Sequence, residues 1–287
     1  MDISAVLNAV LGPDRFPISV GDVALELSSK WFPDDPLSLV QGAVLPGFDG
    51  ALLPAPAGEK GWGIFYNSAV TSKGRINFTL AHEFGHYLLH RLAFPDGIQC
   101  SQQDMWRWDS AYKQVEDEAN TFAAYLLMPF SDYRQQLDAR EVATFDLLSQ
   151  CAERYEVSLI AATLRWLAYT ERRAVLALSR DGFILWSRSS ESALKTGAYL
   201  KTAGLVVPVP EKSVAARPGT FADARVGVDL GPGVWFKESC REMSVVSENY
   251  DFTISLLHLE ADAGRRSDDE DAEPETLDAR IRRRHGL

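Results

Sequence analysis

The chain has 287 residues, 46% hydrophobic and 24% charged, a balance that excludes a wholly disordered protein and predicts two domains. Its formal net charge is −11, so the chain as a whole lacks the basic footprint of a nucleic-acid binder. Cys100, Cys151 and Cys240 lie far apart and form no CxxC pair, which argues against a cysteine-built zinc site or a disulfide framework and predicts reduced thiols.

The opening MDISAVLNAVLG has no basic stretch before its apolar residues. It predicts a short amphipathic helix through Ile3, Val6, Leu7 and Val10 rather than a signal peptide. PISVGDVALELSSK reads as a second helix, ended by the breaker cluster Trp31–Pro36, and the Pro- and Gly-rich residues 44–61 read as loop. GIFYNSAV at 63–70 predicts a strand. A helix carrying LAHEFGHYLLHRL follows, with Asn77 or Thr79 as its cap, and further helices are expected at 111–127, 131–154 and 158–170. The longest apolar run, Phe122–Phe130, falls short of the ~18 residues of a membrane span, so a soluble, cytoplasmic protein is expected.

Beyond Arg172-Arg173 the pattern changes. AVLALS and FILWSRS read as two strands around Arg180-Asp181-Gly182, and more β-prone stretches lie at 205–209, 226–230, 233–236 and 251–259. Between Asp268 and Asp278 lie seven acids, followed by four arginines from Arg280 to Arg284, a charge block expected to be solvated.

The chemistry is concentrated in His82-Glu83-Phe84-Gly85-His86. Histidines at i and i+4 project from one face of a helix, so both rings reach one ion, and Glu83 beside them is placed to handle a proton on bound water. The chain has five histidines, and three of them fall within nine residues. His90 is excluded as a third ligand, because His82 and His90 are about 12 Å apart along an unbroken helix. It reads as a helix-end histidine or one behind a ligand.

A better third ligand lies in Glu116-Asp117-Glu118-Ala119-Asn120. Glu116 and Asn120 face the same way on a second helix. Glu116 is the expected metal ligand, and the Asn120 carboxamide oxygen is placed to accept the outer ring N–H of a ligand histidine. Glu118, rotated about 200° away, competes for the ligand role but is expected to face solvent. An oxyanion donor should complete the site; a Tyr, His or Arg suits the role, and His90 and Tyr133 are the candidates.

The run RINFTLAHEFGHYLLH (75–90) and the run Glu116-x-x-Ala-Asn-x-Phe-Ala-Ala-x-Leu-Leu-Met-Pro129 resemble the hallmarks of the ImmA/IrrE family of metallo-endopeptidases over roughly residues 15–170. The resemblance implies a gluzincin-like site, in which His82, His86 and Glu116 hold Zn2+ (Mn2+ being an alternative) and Glu83 is the general base. It also implies a protein substrate, a lambda/Cro-like helix-turn-helix repressor encoded nearby, whose cleavage relieves repression of stress-response or mobile-element genes. The strand at 63–70 stands where such enzymes keep an edge strand for an extended substrate.

The expected fold is α+β: a mainly helical, zincin-like peptidase domain with a small sheet at 1–130, a helix-turn-helix-like segment at 131–172, a smaller mixed α/β domain of sensory or docking character at 173–262, and a charged tail at 263–287. Residues 145–166 have the helix-turn-helix look. However, residues 141–173 hold five acids against four arginines, so a structural or repressor-docking role is favoured over direct DNA binding. The competing class is a non-proteolytic, antitoxin-like regulator with a structural metal site. Glu83 argues against it, since a structural site needs no base.

Overall fold

The computed structural model describes residues 7–9, 12, 14–101, 110–217, 219–220, 223–247 and 251–260. Residues 7–9 are helical and Leu7 is buried. The rest of the segment expected as the opening helix, apart from Gly12, and the expected charged tail lie outside the described residues.

The described chain is α+β, with two sheets and helices between them. Helix α1 (Val20–Trp31) is followed by strands β1 (Leu37–Ala43), β2 (Phe48–Pro54) and β3 (Trp62–Asn67), then α2 (Lys73–Leu89), β4 (Ile98–Ser101) and α3 (Ser110–Leu127). The first sheet has the order β1-β3-β2-β4. β1 runs parallel to β3, while β2 is antiparallel to both β3 and β4. Two expectations change here. The Pro- and Gly-rich stretch at 44–61 contains β2, because its apolar centre Ala51-Leu52 is buried between two ladder partners. The strand expected at 63–70 is interior, so its backbone is already paired on both sides and offers no free edge to a substrate.

Helix α2 starts six residues before Thr79. Ser72 is its cap, its side chain accepting from the Arg75 amide. Arg75 then grips Asp49 of β2 with two nitrogens, tying the start of the helix to the sheet it lies on. At the other end, Asp35 accepts from Arg91 and from the Trp62 indole, while the Tyr87 hydroxyl donates to the Asp35 carbonyl.

The single helix expected over 131–154 is two: α4 (Phe130–Gln136) and α5 (Phe145–Tyr155). Between them the Asp138 side chain caps the Arg140 amide, and the Ala139 carbonyl accepts from Thr170 and Glu171. These local bonds replace the helical ones. Helix α6 (Leu159–Leu167) is capped by Ser158. It holds one cation, Arg165, which is buried over the Phe130 ring at 3.5 Å. The outer face of the second helix of this pair therefore carries no cation to meet a phosphate backbone.

The second sheet comprises β5 (Ala174–Arg180), β6 (Phe183–Ser189), β7 (Val207–Pro208), β8 (Val228–Leu230), β9 (Cys240–Ser247) and β10 (Phe252–Leu259), in the order β7-β6-β5-β10-β9-β8; helix α7 (Glu191–Lys195) follows β6. The β5–β6 hairpin turns at Asp181 and Gly182, both with positive φ, as a tight two-residue turn requires. Residues 233–236 form turns rather than a strand.

Side-chain alternation gives this sheet two cores. Leu176, Leu178, Met243, Ile254 and Leu256 join the same apolar cluster as Phe84, Tyr155 and Trp166 of the helical region. Val175, Ala177, Leu257 and Leu259 pack on the opposite face with Trp235 and Val209. The first core thus continues across residue 172 without a break. Among the described residues no helix is long and apolar enough to cross a membrane.

Candidate metal centre

Helix α2 packs on β2 and β3 and against α3, and its second half carries His82 and His86. Gly85 makes the helix–helix approach possible. A Cβ there would stand 3.3 Å from the Ala119 Cα and 3.0 Å from the Phe122 ring. Because the two backbones come this close, Glu116, one turn before Ala119 on α3, reaches the two histidines of α2.

One ring nitrogen of His82, one of His86 and a Glu116 oxygen lie within 4.8 Å of one another. His82 Nε2 and His86 Nε2 are 2.9 Å apart. The Glu116 oxygens stand 3.3 Å from the first and 3.4 Å from the second. These separations suit donors around a tetrahedral ion with ~2 Å bonds, whose ligand atoms are about 3.3 Å apart. The electrostatics point the same way. Two ring nitrogens and a carboxylate facing one point need a positive charge there, either a proton or a metal. The donor set therefore fits a divalent cation.

The protonation preferences follow from the same contacts. Burial opposes charging of His82, but the Glu116 hydrogen bond and the Glu83 and Glu116 charges outweigh it and raise the pKa of the ring. Burial dominates at His86, whose pKa is lowered. Burial also opposes ionisation of Glu116, yet the hydrogen bonds from both histidines win and hold its carboxyl far below the ordinary range. Glu116 is thus an anion ready for a cation.

The outer ring nitrogens are held too. His82 Nδ1 donates to Asn120 Oδ1 at 3.1 Å, as the i, i+4 spacing of Glu116 and Asn120 predicts. His86 Nδ1 lies 3.0 Å from His90 Nδ1, and His90 Nε2 lies 3.1 Å from Glu118 Oε2. Glu118 does turn away from the donor atoms, but it meets His90 there and is not merely a solvated acid. Glu83 is completely buried, packed against Gly50 of β2. Tyr133 is also completely buried, and its hydroxyl donates to the Ala162 carbonyl at 2.7 Å. It is a core residue of the α4–α6 junction and does not serve as an oxyanion donor. His90, engaged by His86 and Glu118, is committed as well.

Two histidines from one helix and a carboxylate from the next, with a second glutamate beside them, are the residue types that hydrolytic metal sites use. Residues 41–167 match the family model described as the IrrE N-terminal-like domain of peptidase family M78. That stretch is thus similar to the IrrE N-terminal-like domain of this peptidase family, and it contains all of the residues just described. No curated protein matches the chain.

Proposed function

We propose that the protein is a zinc-dependent endopeptidase in which His82, His86 and Glu116 hold the ion and Glu83 is the general base. The carrying observation is the convergence of three donor atoms within 4.8 Å at the crossing of α2 and α3, inside a peptidase-family domain. His82, His86 and Glu116 would hold a divalent ion, which would supply Lewis acidity to lower the pKa of a water towards neutrality and polarise a scissile carbonyl. Glu83 accepts the proton of the attacking water and delivers it to the leaving amine nitrogen. Asn120 holds the His82 ring so that its Nε2 lone pair faces the centre.

For substrate, we infer a helix-turn-helix repressor encoded nearby, cleaved to switch on stress-response or mobile-element genes. The family resemblance carries this reading, and the net charge of −11 favours a basic protein partner over DNA. The cationless outer face of α6 supports the same choice. We place the enzyme in the cytoplasm, where the buried free thiols Cys151 and Cys240 stay reduced.

The test is incubation of the zinc-loaded chain with the neighbouring repressor, read by mass spectrometry of the fragments. The wild type should yield a defined cut, and Glu83→Gln should retain zinc but lose cleavage. Equal cleavage by Glu83→Gln would overturn the assignment of the base. An uncut repressor whose genes still respond to the protein would favour the non-proteolytic regulator.

A further inference from the structure

We propose that Glu118 and His90 form a hydrogen-bond relay that fixes the tautomer of His86, which makes both of them positioning residues of the metal centre. The inference rests on the metal-site reading above. To offer its Nε2 lone pair, His86 must carry its proton on Nδ1. That Nδ1 is 3.0 Å from Nδ1 of His90, and two ring nitrogens share a hydrogen bond only when one bears the proton and the other does not. His90 Nδ1 is then the acceptor, and the proton of a neutral His90 sits on Nε2. This Nε2 is 3.1 Å from Glu118 Oε2, a carboxylate oxygen that only accepts.

Donation therefore runs one way, from His86 to His90 to Glu118. Gln114 Nε2 donates to the other Glu118 oxygen at 2.7 Å and holds the carboxylate in place. On the opposite side of the centre Asn120 does the equivalent work for His82 in one step. Helix α3 thus supplies a candidate ligand, Glu116, and both terminal acceptors within five residues. The relay explains why a histidine beyond the last turn of α2 is 6% exposed, and why a glutamate on the far side of Glu116 is ordered against it. The Glu118 side chain is 46% exposed, so water competes for it, and its loss should weaken metal binding rather than abolish it.

The experiment measures the zinc dissociation constant of the full chain by competition with a chromophoric chelator. Glu118→Ala should bind zinc roughly ten- to a hundredfold more weakly than the wild type, the usual cost of losing a partner behind a metal ligand. Glu118→Gln retains an acceptor and should stay within a few-fold. His90→Asn places an amide oxygen near the former Nδ1, an acceptor that does not depend on residue 118. In that background Glu118→Ala should therefore cost nothing more. Nitrogen-15 spectra of the metal-free chain give a second readout: the His86 proton should sit on Nδ1 in the wild type and be shared between tautomers in Glu118→Ala. Wild-type zinc affinity in Glu118→Ala, or losses that simply multiply in the double variant, would overturn the relay. A wild-type chain that holds no zinc would overturn the metal-site reading and the relay together.

Discussion

A Cβ on Gly50 would stand 2.6 Å from Oε1 of Glu83, so the carboxylate of the proposed base occupies the place of a missing side chain in β2. The same Cβ would be 2.5 Å from the Thr79 methyl, one helical turn earlier on α2. A residue in the left-handed region would explain a glycine here equally well, but Gly50 is not among the positive-φ glycines. Space is the reason for it.

Gly50→Ala should therefore displace Glu83 and leave the three proposed ligands, His82, His86 and Glu116, where they are. The expected result is a loss of kcat of about ten- to a hundredfold, the scale of a catalytic group shifted by about 1 Å. Zinc affinity should stay close to that of the wild type. Parallel measurement of peptide cleavage and zinc binding checks this, and equal loss of both would mean that α2 as a whole had moved.

Gly85 plays the matching part between helices. Alanine there meets Phe122 at 3.0 Å and the Ala119 backbone at 3.3 Å, and the gain in helix propensity of about 1 kcal/mol offsets part of that crowding. Valine recovers only part of that propensity and adds two methyl groups to the crowding. Gly85→Val should lower stability by about 1–3 kcal/mol, the range for overpacking, and weaken zinc binding by moving Glu116 away from His82 and His86. Chemical denaturation and chelator competition read the two effects separately.

The helical periodicity that brings His82, His86, Glu116 and Asn120 together was legible in the residues, because each pair is one turn apart and the turn is set by backbone geometry. The relay was not. The angle of Glu118 on α3 turns it away from the group formed by His82, His86 and Glu116, but only the fold shows that His90, past the end of α2, comes round to meet it. Strand β2 was hidden by the prolines and glycines around it. Strand β9 was hidden by Arg241 and Glu242, since a charged pair in a short segment reads as surface while Glu242 is completely buried.

Glu242 shows what such burial requires. Its two oxygens accept from the Val214 and Ala215 amides, the Trp235 indole and the hydroxyls of Ser244 and Ser255. The carboxylate thereby pins the loop before β8 to the outer face of the second sheet. Glu242→Ala leaves these donors buried without an acceptor, at about 1–3 kcal/mol for each one that water does not reach. A loss of more than about 3 kcal/mol is expected in a denaturant titration. Zinc affinity should be unchanged, because these residues belong to the core facing away from α2 and α3.

His258 on β10 makes stability depend on pH. Its Nε2 donates to the Ala143 carbonyl at 3.0 Å, and its ring meets Trp166 edge-on, joining the second sheet to the helical region. Burial, with Arg172 and Arg241 adding to it against the Ala143 hydrogen bond, pushes its pKa down to about 4. Unfolding restores it to about 6.5, so the unfolded chain binds the extra proton first as pH falls. The stabilising contribution is complete above about pH 6.5 and disappears progressively between pH 6.5 and 4. From pH 7.5 to pH 5 the loss from this group is about 2 kcal/mol. His258→Gln keeps a donor for Ala143 and removes the titration. The stability difference between the two pH values should therefore be smaller in the variant by that amount, measured by denaturant unfolding of both chains without metal. Equal pH dependence in the two would show that the His258 ring is already solvated in the folded protein.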